Sequence, residues 1–282
     1  MIADRFGLSW RGKLSTAILA NRARIDAIEL IADDYLDAPA TKLRHFRALA
    51  REIPLGLHSI HLGLASTVPV SSAYLDRIAR VADVIDPASF SDHLAFVRSG
   101  DTEIGHMHAP IRDEATLDST LVNLARTERI IGRKPEVENI ATLIDPPGCA
   151  MTESEWLAKL LGRCQNRLLL DLHNVHANAI NFGFNAGTFL DALPLDRVHT
   201  VHIAGGKWIA DDDGNRRYLD DHLNPVGDPT YALLETLAAK APNPLTIILE
   251  RDGRYPPMRE LLDELDRARA AVTRGRAQRE RS

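Results

Sequence analysis

The chain has 282 residues, 45% hydrophobic and 26% charged, the balance of a soluble globular protein with room for a sizeable core. Its formal net charge of -5 argues against nucleic acid as the main partner, because such binders need a basic face. No basic segment leads into a long apolar run, so neither a signal peptide nor a membrane span is expected and the cytoplasm is the expected location. Cys149 and Cys164 form neither a disulfide framework nor a CxxC motif.

Residues 6–10 (FGLSW) read as a first strand, 15–24 as a helix with one apolar face, and 27–31 (AIELI) as a second strand. Glu29 within it is a surface residue if the strand is an edge; if the strand is buried, Glu29 needs a partner such as Arg11 or a site residue. Residues 39–53 carry a helical pattern with Pro39 in the first turn, and 55–58 (LGLH) a third strand, followed by a loop holding His61. A helix over 73–84 precedes the strand end SDHLAF at 91–96. Residues 101–110 (DTEIGHMHAP) read as a loop, whose His106-x-His108 pair does not by itself make a metal site. A long helix follows over 114–131, then a fifth strand in 134–140 (KPEVENI) and a helix over 153–161, with Thr152 and Glu155 spaced as a capping box.

In residues 167–183, RLLLDLHNVHANAINFG, a short buried strand gives way to a dense run of Asp, His and Asn. A short helix over 186–193 leads to strand 198–204 (VHTVHIA), whose alternation puts His199 and His202 on opposite faces. A polar loop over 205–221 precedes His222, a helix spans 228–240, LTIILE at 245–250 is the eighth strand, and a last helix covers 258–272. The charged tail 273–282, with Arg274, Arg276, Arg279 and Arg281, lacks apolar periodicity and is expected to be a solvated, disordered end.

Eight strand-like runs alternating with helical patterns over residues 1–272 predict one α/β domain, a single (β/α)8 TIM barrel, with its site at the carboxyl ends of the strands. Those ends carry His58, His93, Glu138, Asp171, His202 and Glu250, with Asn174, Asp220 and His222 reaching in from loops. So many carboxylates converge only around cations, and imidazole with carboxylate but no thiolate suits Fe(II), Mn(II) or Zn(II). Nine donors exceed the needs of one ion. Composition and spacing lead to a multinuclear metallo-barrel, and hydrolysis, isomerisation and oxygen chemistry all stay open.

The series LHSIHLGLAS, SDHLAF, VENIATLID, LLLDLHNVHANAINFG, VHIAGG, YLDDHLNPVGD and ILERD resembles, in content and order, the multinuclear non-heme iron-dependent oxidase family that includes the methanobactin-biosynthesis oxidase. The likeness runs from about residue 7 to about residue 265. It implies a TIM-barrel enzyme in which His58, His93, Glu138, Asp171, Asn174, His202, Asp220, His222 and Glu250 bind two or three irons as Fe2+ and Fe3+, with O2 as co-substrate. The substrate it implies is a ribosomally made precursor peptide, oxidised most often at cysteine, with a small partner protein that presents the leader. Asp92, Asn139 and Asp252, beside the ligands, are candidates for catalysis and, together with Arg251, for orienting the ligands, with ion pairing on the barrel rim as the other role. His173 and His176 stand where many relatives have Asn and an aromatic, and the roles of His106 and His108 stay open. Two other function classes compete: a divalent-metal hydrolase or sugar isomerase of the xylose-isomerase or endonuclease-IV type, and a non-catalytic protein that binds metal or peptide.

Overall fold

The computed structural model describes residues 3–281 apart from 211 and 213. Its strands are β1 (Arg5–Ser9), β2 (Ala27–Ile31), β3 (Leu55–Ser59), β4 (Ser89–His93), β5 (Phe96–Ser99), β6 (Thr102–His108), β7 (Glu136–Glu138), β8 (Leu168–Asp171), β9 (Val198–Ile203), β10 (Gly206–Ala210), β11 (Arg216–Asp220) and β12 (Thr246–Leu249). Its helices are α1 (Ser15–Ala20), α2 (Ala40–Ala50), α3 (Ser72–Ile85), α4 (Glu114–Ile131), α5 (Glu153–Arg163), α6 (Leu172–Phe182), α7 (Ala186–Asp191), α8 (Asp228–Lys240) and α9 (Met258–Arg279). Eight parallel strands in the order β1-β12-β9-β8-β7-β4-β3-β2 close into a barrel with helices between them, as the alternation of strand and helix patterns predicts. No described helix is long and apolar enough to cross a membrane.

The chain divides into two compact units, one within Ile28–Ile140 and Pro146–Leu168, the other within Met1–Ala27, Ala141–Asp145 and Leu169–Ser282. In the first, β2, β3, β4 and β7 run in register, with Leu57 opposite Phe90 and Asp92 opposite Val137. Leu55, Leu57 and Val137 are fully buried, and β2 is no edge: Glu29 is 2% exposed. Two capping boxes start the covering helices, Asp113 with Thr116 on α4 and Thr152 with Glu155 on α5. Pro39 is the N-cap of α2, one place before its first turn, where its extended backbone feeds the helix.

Two segments expected to be loops are antiparallel hairpins. Residues 102–108 pair with β5 because Gly100, at φ 54, turns the chain and Met107 gains an apolar seat against Ala95, Val97 and Ile140. In the second unit β10 pairs with β11, with Trp208 opposite Tyr218 and the Arg216 guanidinium 4.4 Å above the Trp208 ring. Those cross-strand contacts override the polar composition.

The second unit also corrects the tail. Helix α9 runs to Arg279, seven residues past the predicted end, and Val272 and Gly275 are buried. Gly275 lies so close to α8 that a Cβ there would stand 2.3 Å from the Glu235 carbonyl oxygen. Arg276 pairs with Asp4 at 2.7 Å and donates to the carbonyls of Asn243, at 2.7 Å, and Ala238, at 3.1 Å. Arg274, Arg276 and Arg279 are engaged by acids and by open carbonyls, including those beyond the end of α8.

Candidate metal centre

Strand register builds one ligand cluster in the first unit. His93 is opposite Glu138 across β4 and β7, and His58 is opposite Ser91 across β3 and β4, so these side chains project from neighbouring strand positions on a shared face. The Nε2 atoms of His58 and His93 lie 3.4 Å and 3.3 Å from the same Glu138 Oε2. Ser91 Oγ holds His58 Nδ1 at 2.8 Å, which leaves Nε2 aimed at the carboxylate. Each ligand sits at the carboxyl end of its own strand, and His58 and Glu138 are 2% and 1% exposed. A carboxylate this buried is costly unless matched by positive charge.

Turns and caps build the ligand cluster of the second unit. Asp171 ends β8 and is at once the N-cap of α6, its Oδ1 accepting from the Asn174 N–H at 2.7 Å. The run after Asp171 is therefore helix, and Asn174 reaches inward from its first turn rather than from a loop. Glu250, next after β12, lies 3.2 Å from His202 Nδ1 and 3.6 Å from His222 Nδ1. One donor atom each from Asp171, His222 and Glu250 lie within 4.8 Å of one another. Asp220 ends β11, and His222 follows in a turn at φ 53, a left-handed conformation rare for histidine. Asp221 secures that turn by accepting from Leu223 N at 3.0 Å, and the Asp252 N–H donates to the His222 carbonyl at 3.0 Å.

Electrostatics in this cluster favour a cation. Burial alone would lower the His222 pKa, but the charges of Asp220 and Glu250 outweigh it and hold the imidazole well above its ordinary value. Burial likewise raises Glu250, and the His202 and His222 imidazoles overcome this to bring it well below the usual carboxylate range. His222 Nε2 approaches Asp220 Oδ1 to 2.7 Å, yet neither atom has a hydrogen-bonded partner. Lone pairs brought together in this way fit a metal ligand set.

All nine sequence-predicted ligands lie in one of the two clusters or, like Asn174, directly beside it. The flanking residues divide. Asp252 Oδ2 lies 3.1 Å from His222 Nδ1, and Arg11 Nε donates to Asp252 Oδ1 at 3.0 Å while Arg11 Nη2 lies 3.9 Å from Glu250 Oε1. Asn139 is buried next to Glu138. Asp92, a candidate for catalysis, is on the face of β4 opposite to His93 and accepts from the Leu62 N–H at 3.2 Å. Burial, then the charge of Asp33, pushes its carboxyl well above the usual range. Arg251 also turns away, bonding Glu264 of α9 at 2.9 Å. Ser91 opens the SDHLAF motif, but only its register with His58 supplies a role, and Arg11 was anticipated only as a partner for Glu29. His106 and His108 stack edge to face in the hairpin at 5.5 Å and join no described three-ligand cluster. His173 is buried on α6, and burial lowers its pKa to about 4.

The family model for the RiPP precursor modification enzymes MbnB/TglH/ChrH matches residues 5–273. The chain belongs to this family. Curated relatives include a UPF0276 protein of Caulobacter vibrioides (strain NA1000 / CB15N), 32% identical over 97% of this chain and 96% of its own length. Another, from Rhizorhabdus wittichii, is 33% identical over 87% of this chain and 86% of its own length. Among solved structures, the D-psicose 3-epimerase of Clostridium cellulolyticum H10 superposes with a TM-score of 0.60 over 98% of this chain and 99% of that one, at 9% identity. Endonuclease IV from Thermus thermophilus gives 0.55 over 95% and 99%, at 18% identity. At such identities the likeness is one of fold, a TIM barrel. Membership makes the chain a precursor-modifying type of enzyme with candidate metal-binding clusters.

Proposed function

We propose that this protein is a multinuclear iron-dependent oxidase that uses O2 to modify a residue, cysteine first, of a ribosomally made precursor peptide. The observation that carries the reading is the His58–His93–Glu138 cluster, two imidazoles and one carboxylate converging with no thiolate, the donor set of non-heme Fe(II) oxygenases. His58, His93 and Glu138 would hold one iron, and Asp171, Asn174, His202, Asp220, His222 and Glu250 a second or a third. Bound iron supplies the one-electron chemistry with O2 that no side chain of this chain can perform. The residues contribute position and charge. Ser91 holds the His58 ring in orientation through Nδ1, and Asp252 with Arg11 steadies His222 and Glu250. Membership of a RiPP-modifying family supports a peptide as substrate; a small leader-binding partner and a cytoplasmic setting are further parts of the same proposal.

The test is Mössbauer spectroscopy and metal analysis on protein grown in iron-57 medium and purified without oxygen, followed by oxygen uptake with a cysteine-containing precursor peptide encoded nearby. Two or three coupled high-spin irons per chain and peptide-dependent oxygen consumption are expected. Stoichiometric zinc or manganese, with no iron retained after anaerobic reconstitution, would overturn the assignment in favour of a hydrolase or isomerase.

A further inference from the structure

His173 is absent from the nine-residue ligand set, yet its surroundings do not make it an ordinary core residue. It is 1% exposed, and neither ring nitrogen has a hydrogen-bond partner. Leaving a buried polar group unpaired costs about 1–3 kcal/mol, so packing alone is a poor reason to keep an imidazole there. The ring is nevertheless held in one place. Its centroid lies 5.6 Å from that of Tyr218 and 6.4 Å from that of His176. The backbone of β10 closes over it at Gly206, where a Cβ would stand 2.8 Å from His173 Nε2.

That fixed orientation points Nε2 at a carboxylate. His173 Nε2 is 3.4 Å from Asp220 Oδ1, the oxygen that also stands 2.7 Å from His222 Nε2. Neither contact has hydrogen-bond geometry, since Asp220 Oδ1 and both imidazole nitrogens count as unpaired. A buried imidazole and a half-buried one thus present Nε2 to one carboxylate oxygen, as His58 and His93 do to Glu138. The first pair is set by strand register; the second uses a helix, a hairpin strand and a left-handed turn to reach the same chemistry.

We propose that His173 is a metal donor through Nε2, forming with Asp220 and His222 a further site of two imidazoles and one carboxylate that takes one divalent iron. The inference rests on the metal-dependent reading above and adds to it a ligand outside the nine-residue set. His222 then serves through both nitrogens, Nε2 toward the metal and Nδ1 toward Asp252, which holds the ring. Gly206 is demanded first by the hairpin, since a Cβ there would stand 2.3 Å from the Leu219 carbonyl oxygen, and the close backbone it allows also confines the His173 ring.

The test uses anaerobic titration of the metal-free full chain with Co2+, whose visible absorption reports ligand type and number, together with metal counting after gel filtration. His173→Asn is expected to lose one tightly bound Co2+, or to weaken one site at least about tenfold, the low end of what losing even a residue behind a ligand costs. The remaining sites and the melting temperature of the metal-free chain stay as in the wild type. In His173→Gly, added imidazole is expected to restore the missing absorption band, which a merely structural role would not produce. Equal Co2+ stoichiometry, affinity and spectra for wild type and both variants would overturn the role of His173 while leaving the metal reading intact. A wild-type chain that binds no Co2+ would instead sink the metal reading itself, and this inference with it.

Discussion

The two ligand clusters reach similar chemistry by different construction. His58, His93 and Glu138 are strand residues whose positions follow from register, and one serine hydroxyl is enough to finish the arrangement. Asp171, His202, Asp220, His222 and Glu250 come from a helix cap, a hairpin end, a strained turn and two strand ends, and they depend on Arg11, Asp221 and Asp252 to stay in place. A barrel strand fixes a side chain to within the pleat, whereas a turn fixes it only as well as its own hydrogen bonds allow. The first cluster should therefore tolerate loss of its supports, and the second should not.

The largest effect expected is at the centre of the register-built cluster. Glu138→Gln removes the charge that both imidazoles face, and its cost in metal affinity should exceed the ~10–100-fold typical of residues behind a ligand. Metal analysis should find that cluster empty and the other filled; retention of the full metal complement would break the comparison. Next comes Asp252→Asn, which frees His222 in its left-handed turn, with a loss toward the upper part of that ~10–100-fold range. It is best measured where protons no longer compete. The His222 pKa is raised above its ordinary value, so the metal-free chain holds a proton there that binding must expel. Affinity at this cluster should then climb with pH, by up to about tenfold per pH unit for one proton. The same sign applies to folding: this ion pairing stabilises the metal-free chain below the ordinary histidine value, and the contribution is lost as pH rises through the raised one. Calorimetry in buffers of different ionisation enthalpy would show the proton released, and a pH-independent affinity would remove the proton from the account.

How far each cluster was legible in the sequence follows from the same contrast. Strand ends announce themselves, because an apolar run stopping at His, Glu or Asp is a local signal, and His58, His93, Glu138, Asp171 and Glu250 were all found in this way. The barrel followed from alternation of strand and helix patterns, and the capping box at Thr152 from four residues. What local pattern missed depends on tertiary contact. The hairpins at residues 96–108 and 206–220 are polar in composition and are set by cross-strand packing, and the continuation of α9 is set by Asp4 and by carbonyls hundreds of residues upstream or tens away. Asp92 and Arg251 were judged by nearness in sequence to a ligand; alternation along β4 puts Asp92 on the other face from His93, and Arg251, past the end of β12, bonds Glu264 instead.

The two smallest effects on metal binding sharpen that last point. Ser91→Ala removes the partner of His58 Nδ1, but register keeps the ring near Glu138, so the loss should stay near the lower end, about tenfold, with melting temperature little changed. Arg251→Met should not change metal affinity at all, although Arg251 directly follows Glu250 in sequence. Its guanidinium is bonded to Glu264, and both residues are nearly buried, at 3% and 8% exposure. Removing it leaves a carboxylate without its cation against α9, a change that costs about 3–5 kcal/mol where a buried pair is broken. Urea unfolding should therefore show a lower midpoint while Co2+ titration gives wild-type values. If metal affinity fell with stability, the segment after β12 would be a single mechanical element, and the direction each side chain takes there would not separate the site from its support.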